Sequence, residues 1–226
     1  MTVSAPDPLR IRAANLRVLE QLRLPVPAAN FPMVWDPGDE IELRPRAEIE
    51  ARVAVLNVVL ARSFGLPKEV AMEWLLDAHL LERLTRPEWH FVVADEGDHF
   101  AFALHLEAVY ALGWVMGLTH DLDPLRPSAN GLVQRLPDLR TGESFASWRG
   151  RTLTAPRPVA EVAGLLDLYY CLDWAFLETE RRQLPLPGEV DSNAIGQRRW
   201  ALEWAVVFHG PFHDAPLAWE EIDLSV

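Results

Sequence analysis

The sequence predicts a mainly α protein in which one domain forms a multi-helix orthogonal bundle, with long proline-rich loops and little or no β-structure. Hydrophobic residues recur every three or four positions in several segments, as in helices packed against a core. Many of the 18 prolines fall between those segments, where they favour loops. We expect residues 1–7 to be disordered and residues 8–226 to form the domain, which ends in an irregular acidic tail over residues 209–226.

The first half of the chain carries clear helical patterns. Residues 8–22 have leucines at helical spacing and predict the first helix. Five prolines between residues 25 and 45 predict an irregular connection, in which residues 40–43 resemble a short strand. Residues 46–63 predict a long helix because apolar residues would line one face. These residues are Ile49, Val53, Leu56 and Leu60.

Two further helices are predicted before residue 95. A helix over residues 67–83 begins at a proline, whose fixed φ suits the first turn. Thr85 and Glu88 have the spacing of a capping box, in which each side chain accepts a hydrogen bond from the other residue's backbone N–H. They open a short helix that reaches Val93, and an acidic stretch with a glycine then ends it.

Residues 99–118 are the most apolar segment, and their length could span a bilayer. His105 and Glu107 lie in its middle, where a charge in hydrocarbon is costly. We therefore interpret it as a buried core helix and expect no membrane association.

The second half alternates loops with two long helices. Residues 124–158 are rich in loop-forming residues, with a short helix near residues 129–136. Residues 159–182 and 192–208 show apolar periodicity and predict the last two helices. Most of the nine tryptophans fall on helix faces and belong in the core. Trp148 and Trp219 have loop-like surroundings and are candidates for an interface.

Charge and composition exclude several functional classes. The formal net charge is −12, which argues against nucleic-acid binding because that function needs a basic surface. One cysteine excludes an intramolecular disulfide, and no secretory signal is visible, so a cytoplasmic protein is expected. Of the 21 Lys and Arg residues, only Lys68 is a lysine, a bias typical of a GC-rich bacterial genome. Nucleotide-binding and hydrolase motifs are lacking, and no cofactor is predicted.

Six stretches resemble the bacterial family labelled domain of unknown function 4272. They are Arg12-Ala-Ala-Asn-Leu16, Leu43-Arg-Pro-Arg-Ala-Glu-Ile49, Leu106-Glu-Ala-Val-Tyr-Ala-Leu-Gly-Trp114, Leu168-Tyr-Tyr-Cys-Leu-Asp-Trp174, Gln197-Arg-Arg-Trp-Ala-Leu-Glu-Trp204 and Trp219-Glu-Glu-Ile-Asp223. The resemblance implies a cytosolic, bacterial, α-helical protein with no established activity. The family pattern usually has Glu at position 197 and often His at position 173, where this chain has Gln197 and Asp173.

Polar residues set into apolar helices form one candidate site. A buried carboxylate must find a partner or become neutral, so Glu107 or Asp173 could pair with an arginine of the last helix. This cluster is either a structural ion pair, which we favour, or a small-molecule or catalytic pocket in which Glu107 acts as acid or base. Its members are Glu107, Trp114, Asp173, Trp174, Arg198, Arg199 and Trp204.

Metal-like and thiol chemistry is less favoured. His120, Asp121 and Asp123 could supply ligands to a divalent ion, but short acidic runs are common after helices. His209 and His213 have suitable spacing, yet Gly and Pro between them break the helix that would align two imidazoles. Cys171 lies among apolar residues and predicts a buried, inert thiol. We therefore assign no metal site and no catalytic residue.

The acidic charge is uneven and suggests a function. Seven acids and no Lys or Arg occur from residue 88 to residue 123, and the tail adds four acids. The exposed acids could simply maintain solubility, or they could steer a basic protein partner. The partner-binding residues would be Asp95, Glu96, Asp98, Asp121 and Asp123. We favour a non-enzymatic protein-binding module, by analogy an immunity- or antitoxin-type inhibitor of a basic partner, and assign no oligomeric state.

Overall fold

A computed structural model describes residues 1–98, 100–128, 131–213, 216–222 and 224. In these residues the protein is mainly α-helical, as predicted, with eight α-helices and one small sheet. The helices are α1 (Pro8–Gln21), α2 (Arg46–Ser63), α3 (Lys68–Asp77), α4 (Arg86–Trp89), α5 (His105–Val115), α6 (Phe145–Arg151), α7 (Val159–Arg181) and α8 (Ser192–Ala205). The strands are β1 (Val3–Ser4), β2 (Glu40–Leu43) and β3 (Val206–His209).

Contacts divide the chain into two compact units. The first unit comprises Met1–Arg44, Leu122–Pro127 and Arg157–Val226, and the second comprises Pro45–Asp121 and Ser128–Pro156. The single domain expected over residues 8–226 stays a prediction.

In the first unit, α7 packs against both α1 and α8 and also contacts β2 and β3. The sheet is antiparallel with strand order β1-β2-β3, so β2 is central. Ile41 of β2 is fully buried, as are Leu19 of α1 and Leu172 of α7. The core of this unit therefore lies where α7 meets the sheet and its two neighbouring helices.

The amino terminus differs from the disorder predicted for residues 1–7. Val3 pairs with Ile41, and the backbone N–H of Ala5 donates to the carbonyl of Asp39. The side chain of Asp7 then caps α1 by accepting from the N–H of Leu9 at 3.0 Å. Pairing with a strand about forty residues away satisfies these backbone groups, and the composition of the segment does not reveal that partner.

In the second unit, α2 is the central helix and contacts both α3 and α5. Its residues Val53, Leu56 and Val59 are fully buried. Arg52 and Arg62 of this helix are also buried, and each forms an ion pair with a carboxylate. Arg52 donates to Glu88, whose carboxylate also completes the capping box predicted at the start of α4.

Three predicted helices are shorter in the structure. Helix α3 stops at Asp77, and His79 follows in the left-handed region with φ 54°, which cannot continue a helix. Helix α5 covers only His105–Val115 of the predicted residues 99–118. Helix α8 ends at Ala205 because the following residues, Val206–His209, pair with β2 as strand β3.

The loop-rich region contains a helix that periodicity did not predict. Helix α6 begins after Ser144, whose hydroxyl accepts from the N–H of Ser147. Trp148 of this helix is fully buried and Trp219 is 5% exposed, so the prediction that these two are candidates for an interface is wrong. Of the helix predicted near residues 129–136, residues 129–130 lie outside the described chain, and Val133–Arg135 form a 3₁₀ turn.

Among the helices that the structure describes, none is both long and apolar enough to cross a membrane.

Candidate functional site

A buried ion pair in the first unit joins α1 to α7. The guanidinium of Arg12 donates to both carboxylate oxygens of Asp167, at 2.8 Å for the shortest contact. Asn15 donates to the same carboxylate at 2.9 Å, and Arg12 also reaches the carbonyls of Phe31 and Pro32. The family-like stretch that begins at Arg12 thus contributes to helix packing.

A second buried ion pair joins α7 to α8. Arg199 donates to the carboxylate of Asp173 at 2.7 Å, and both side chains are at most 5% exposed. Arg199 also contacts Glu203 at 3.3 Å, donates to the carbonyl of Leu224 and lies 4.6 Å from the ring centre of Tyr170. Burial raises the pKa of Asp173, and the hydrogen bond from Arg199 opposes that shift. The sequence placed these two residues in one cluster, and the structure pairs them.

Arg198 has no exposed surface and binds neutral groups of the first unit. Its guanidinium donates to the backbone carbonyls of Asp123 and Arg126, both at 2.6 Å, and to the hydroxyl of Tyr169 at 3.1 Å. These bonds hold the Leu122–Pro127 segment against α7 and α8.

The predicted site tryptophans of the first unit take part in packing. Trp174 lies 5.9 Å from the ring of Phe31. The guanidinium of Arg44 lies 4.6 Å from the ring centre of Trp204. Trp219 forms an edge-to-face contact with the same ring. Arg44 also donates to the backbone carbonyl of Trp204 at 2.5 Å.

Glu107 and Trp114 belong to the second unit, whereas the other five residues of the predicted cluster belong to the first. Glu107 is 9% exposed, and its carboxylate accepts from the backbone N–H of Ser128 at 3.1 Å. Trp114 is 5% exposed on the same helix.

A further buried carboxylate lies in the stretch that opens α2. Glu50 is 1% exposed, and its carboxylate accepts hydrogen bonds from the guanidinium groups of Arg46 at 2.6 Å and Arg149 at 2.5 Å. Arg46 also donates to the carbonyls of Thr152 and Thr154. The proline-flanked Arg46 of the family-like motif thus anchors the α6 region to α2.

The acids of residues 95–98, which we call the acidic segment, follow a π-helical turn over His90–Ala94. Asp95 pairs with the guanidinium of Arg62, although 54% of the Asp95 side chain is exposed. Glu96 is 69% exposed and lies 3.3 Å from the ring of His90. Much of the negative charge of this segment therefore faces solvent.

Exposed hydrophobic side chains flank the acidic segment. Asp98 accepts from the backbone N–H of Phe100 at 2.8 Å, and the Phe100 side chain is 82% exposed. Trp89 and Leu104, on either side in the sequence, are 41% and 42% exposed. Aromatic side chains are enriched at the centres of protein–protein interfaces, and the rims of such interfaces are polar.

The two remaining acids of the predicted surface fall in different units. Asp121 is exposed in the second unit, where its carbonyl accepts from the hydroxyl of Tyr110 at 2.7 Å. Asp123 belongs to the first unit, where its carboxylate accepts from the N–H of Leu125 and lies 3.6 Å from Arg126. Of the tail acids, Asp214 and Asp223 lie outside the described residues.

Two of the three histidines considered as metal ligands lie beside carboxylates. His213 lies 2.9 Å from Asp39, and His209 lies 3.2 Å from Glu42. Within the described part of the chain, no three His, Cys, Asp or Glu side chains gather in a way that could hold a metal ion. Burial raises the pKa of Cys171 to about 12, so its thiol stays protonated at neutral pH.

A cavity of about 530 Å³ in the second unit lies between α3 and the segment that leads into α6. Its wall includes the aromatic side chains of Trp74 and Phe145, in edge-to-face contact at 6.2 Å. Glu73 and Asp77, one turn apart on α3, also line it. Trp74 is 7% exposed, as its predicted place in the core implies, and it lines the cavity with the rest of its ring. Sequence reasoning missed this site because no motif marks the two carboxylates.

Two other cavities are lined by different residues. One of about 710 Å³ lies in the second unit, next to the ion pair of Arg151 with Glu143, and one of about 270 Å³ lies beside Arg44 in the first unit. Glu107, Asp173 and Arg199 line none of these three cavities.

A family model described as Domain of unknown function (DUF4272) matches residues 11–222. The chain belongs to the DUF4272 family. The match confirms the resemblance carried by the six sequence stretches, and in this DUF4272 protein residues of several of those stretches form buried ion pairs. Comparisons with curated proteins and with solved structures found no match.

Proposed function

We propose that this protein is a non-enzymatic binding module that captures a basic protein through the acidic segment and Phe100. The observation that carries the proposal is the 82% exposure of Phe100, two residues after Asp98, the last of three exposed carboxylates. A large aromatic side chain supplies much of the binding energy once a partner covers it, and surrounding charges accelerate encounter. An immunity- or antitoxin-type inhibitor of a basic toxin would work in this way.

Charge complementarity selects a basic partner. The chain has a net charge of −12, and Glu96 and Asp98 present carboxylates to solvent beside Phe100. A basic surface would gain attraction along the whole approach, whereas an acidic one would be repelled. Because Asp95 already pairs with Arg62, Glu96 and Asp98 are the residues to test.

The alternative, a small-molecule site or enzyme pocket built on Glu107, Asp173 and Arg199, has no comparable support. Asp173 is held by Arg199, and the carboxylate of Glu107 accepts a backbone hydrogen bond.

The partner can be identified by placing the photo-crosslinking residue p-benzoylphenylalanine at position 100 in the cells that make the protein. The matched control carries it at Leu153, which is 77% exposed in the same unit. We expect a basic protein to be cross-linked from position 100 and not from position 153. If no protein is captured, or if the captured protein is acidic, the proposal is wrong.

Association kinetics with the purified partner then test the mechanism. Glu96→Lys with Asp98→Lys should slow association at low salt by at least about tenfold, and the effect should shrink as salt is added. The control pair Glu69→Lys with Glu82→Lys makes the same charge change on exposed residues of the same unit and should change the rate by less than about threefold. Equal slowing by both pairs would reject a specific acidic surface.

A further inference from the structure

We infer that the cavity lined by Trp74, Glu73 and Asp77 binds a guanidinium group. The site lies outside the acidic segment, and its chemistry does not depend on Phe100. Its volume of about 530 Å³ is that of a small-ligand pocket. Glu73, Asp77 and His79 are exposed, so solutes can reach the pocket from solvent.

The two carboxylates are arranged to receive a cation. Glu73 and Asp77 are four residues apart on α3, and neighbouring like charges at this spacing repel each other. Asp77 is also the last residue of α3, where the helix dipole disfavours a negative charge. In the described part of the chain, no cationic side chain pairs with either residue. A bound cation would relieve both unfavourable interactions.

The aromatic wall favours a guanidinium over a compact ammonium group. The indole N–H of Trp74 donates to the carbonyl of Glu143 at 2.7 Å, which holds the ring in place. A planar guanidinium can stack its flat face on an aromatic ring while its in-plane N–H groups reach carboxylates, whereas a lysine ammonium has no flat face to stack. Phe145 already has the guanidinium of Arg149 5.6 Å from its ring centre. Trp74 is 7% exposed, and we assign to the ligand the part of its ring that lines the cavity.

Two sources could supply this group, namely a free guanidinium compound or an arginine side chain of a protein. Calorimetric titration with N-acetylarginine amide, and with a capped pentapeptide that has arginine between alanines, distinguishes them. Tighter binding of the pentapeptide would assign a protein arginine, and equal binding would assign a small guanidinium compound. If neither probe binds, the inference is wrong.

Variants test whether the pocket carries the binding. Glu73→Gln with Asp77→Asn should weaken binding of the arginine probe at least about tenfold, because charge-assisted hydrogen bonds are lost. Glu20→Gln with Glu82→Gln removes the same net charge from exposed residues outside the pocket and should change affinity by less than about twofold. The thermal midpoint of the pocket variant should be unchanged or higher, since its two like charges no longer repel.

Neutral and lysine probes provide the remaining controls. N-acetylcitrulline amide has nearly the same shape as the arginine probe without its charge, and N-acetyllysine amide keeps the charge without the planar group. Both should bind more weakly than the arginine probe. Equal binding of either one would overturn the guanidinium assignment, as would equal weakening by the two pairs of substitutions.

Discussion

Replacing Arg12 with methionine would leave the Asp167 carboxylate buried without its cation. Asp167 is 1% exposed and Arg12 is 7% exposed, so water cannot easily take the place of the guanidinium. Removal of one partner of a buried pair destabilises proteins by about 3–5 kcal/mol. Asn15 would still donate to the carboxylate at 2.9 Å, so we expect a loss near the lower end, about 3 kcal/mol.

Urea unfolding followed by tryptophan fluorescence measures this loss. With a denaturant slope of about 2–3 kcal/mol per molar, the midpoint of the transition that unfolds the first unit should fall by roughly 1–1.5 M. Arg17→Met is the matched control, because Arg17 is exposed on the same helix. This substitution should change the unfolding free energy by less than about 0.5 kcal/mol.

The double variant Arg12→Met with Asp167→Leu separates the ion pair from simple packing. Replacing both partners with apolar residues removes the uncompensated charge, so this variant should be more stable than Arg12→Met alone. A double variant that lost the sum of the two single losses would refute the reasoning, as would an Arg12→Met variant no less stable than Arg17→Met.

Two further predictions concern pH and backbone geometry. Arg151 donates to Glu143 at 2.5 and 2.8 Å and lowers the pKa of Glu143 from its ordinary value of 4.5. This stabilisation is present above pH 4.5 and is lost as the pH falls through the lower folded-state pKa, so Glu143→Gln should show a smaller drop in Tm between pH 5 and pH 3 than the wild type. Gly188 has φ 78°, and an added Cβ would lie 2.4 Å from the carbonyl oxygen of Leu125, so Gly188→Ala should lower the unfolding free energy by about 2–4 kcal/mol.

Each of these predictions has its own control. An unaltered acid response in Glu143→Gln would mean that other carboxylates govern acid unfolding. Gly142 has φ 72° with open space around it, so Gly142→Ala measures the backbone cost alone, about 1 kcal/mol. Equal losses from the two glycine variants would show that the carbonyl of Leu125 moves aside.

Helices with strong periodicity could be predicted to within a residue or two. Helix α2 occupies the predicted residues 46–63, and α7 ends one residue before the predicted position 182. The helix predicted over residues 192–208 extends past Val206, because a run of apolar residues is compatible with a buried helix and with a buried strand. Pairing of Val206 with Leu43, far away in the sequence, makes this stretch a strand.

The candidate site was less predictable than the fold. Asp173 and Arg199 were recognised because polar residues interrupt apolar helices, and the structure pairs them. No sequence pattern predicted the pocket beside Trp74, because its carboxylates lie on an exposed helix face, where acidic residues are common. The exposure of Phe100 was also hidden, since it sits in the most apolar segment of the chain.

Local pattern was sufficient to predict the helical class, because helix formation depends on residues three or four positions apart. Composition alone gives the acidic charge, and six short stretches of sequence identify the family. The partner of each buried charge depends on contacts that span much of the chain, such as the 155 residues between Arg12 and Asp167. Strand pairing and cavity walls likewise require segments that meet only after folding. For that reason the tertiary structure was needed to locate the ion pairs, the sheet, the exposed Phe100 and the carboxylate pocket.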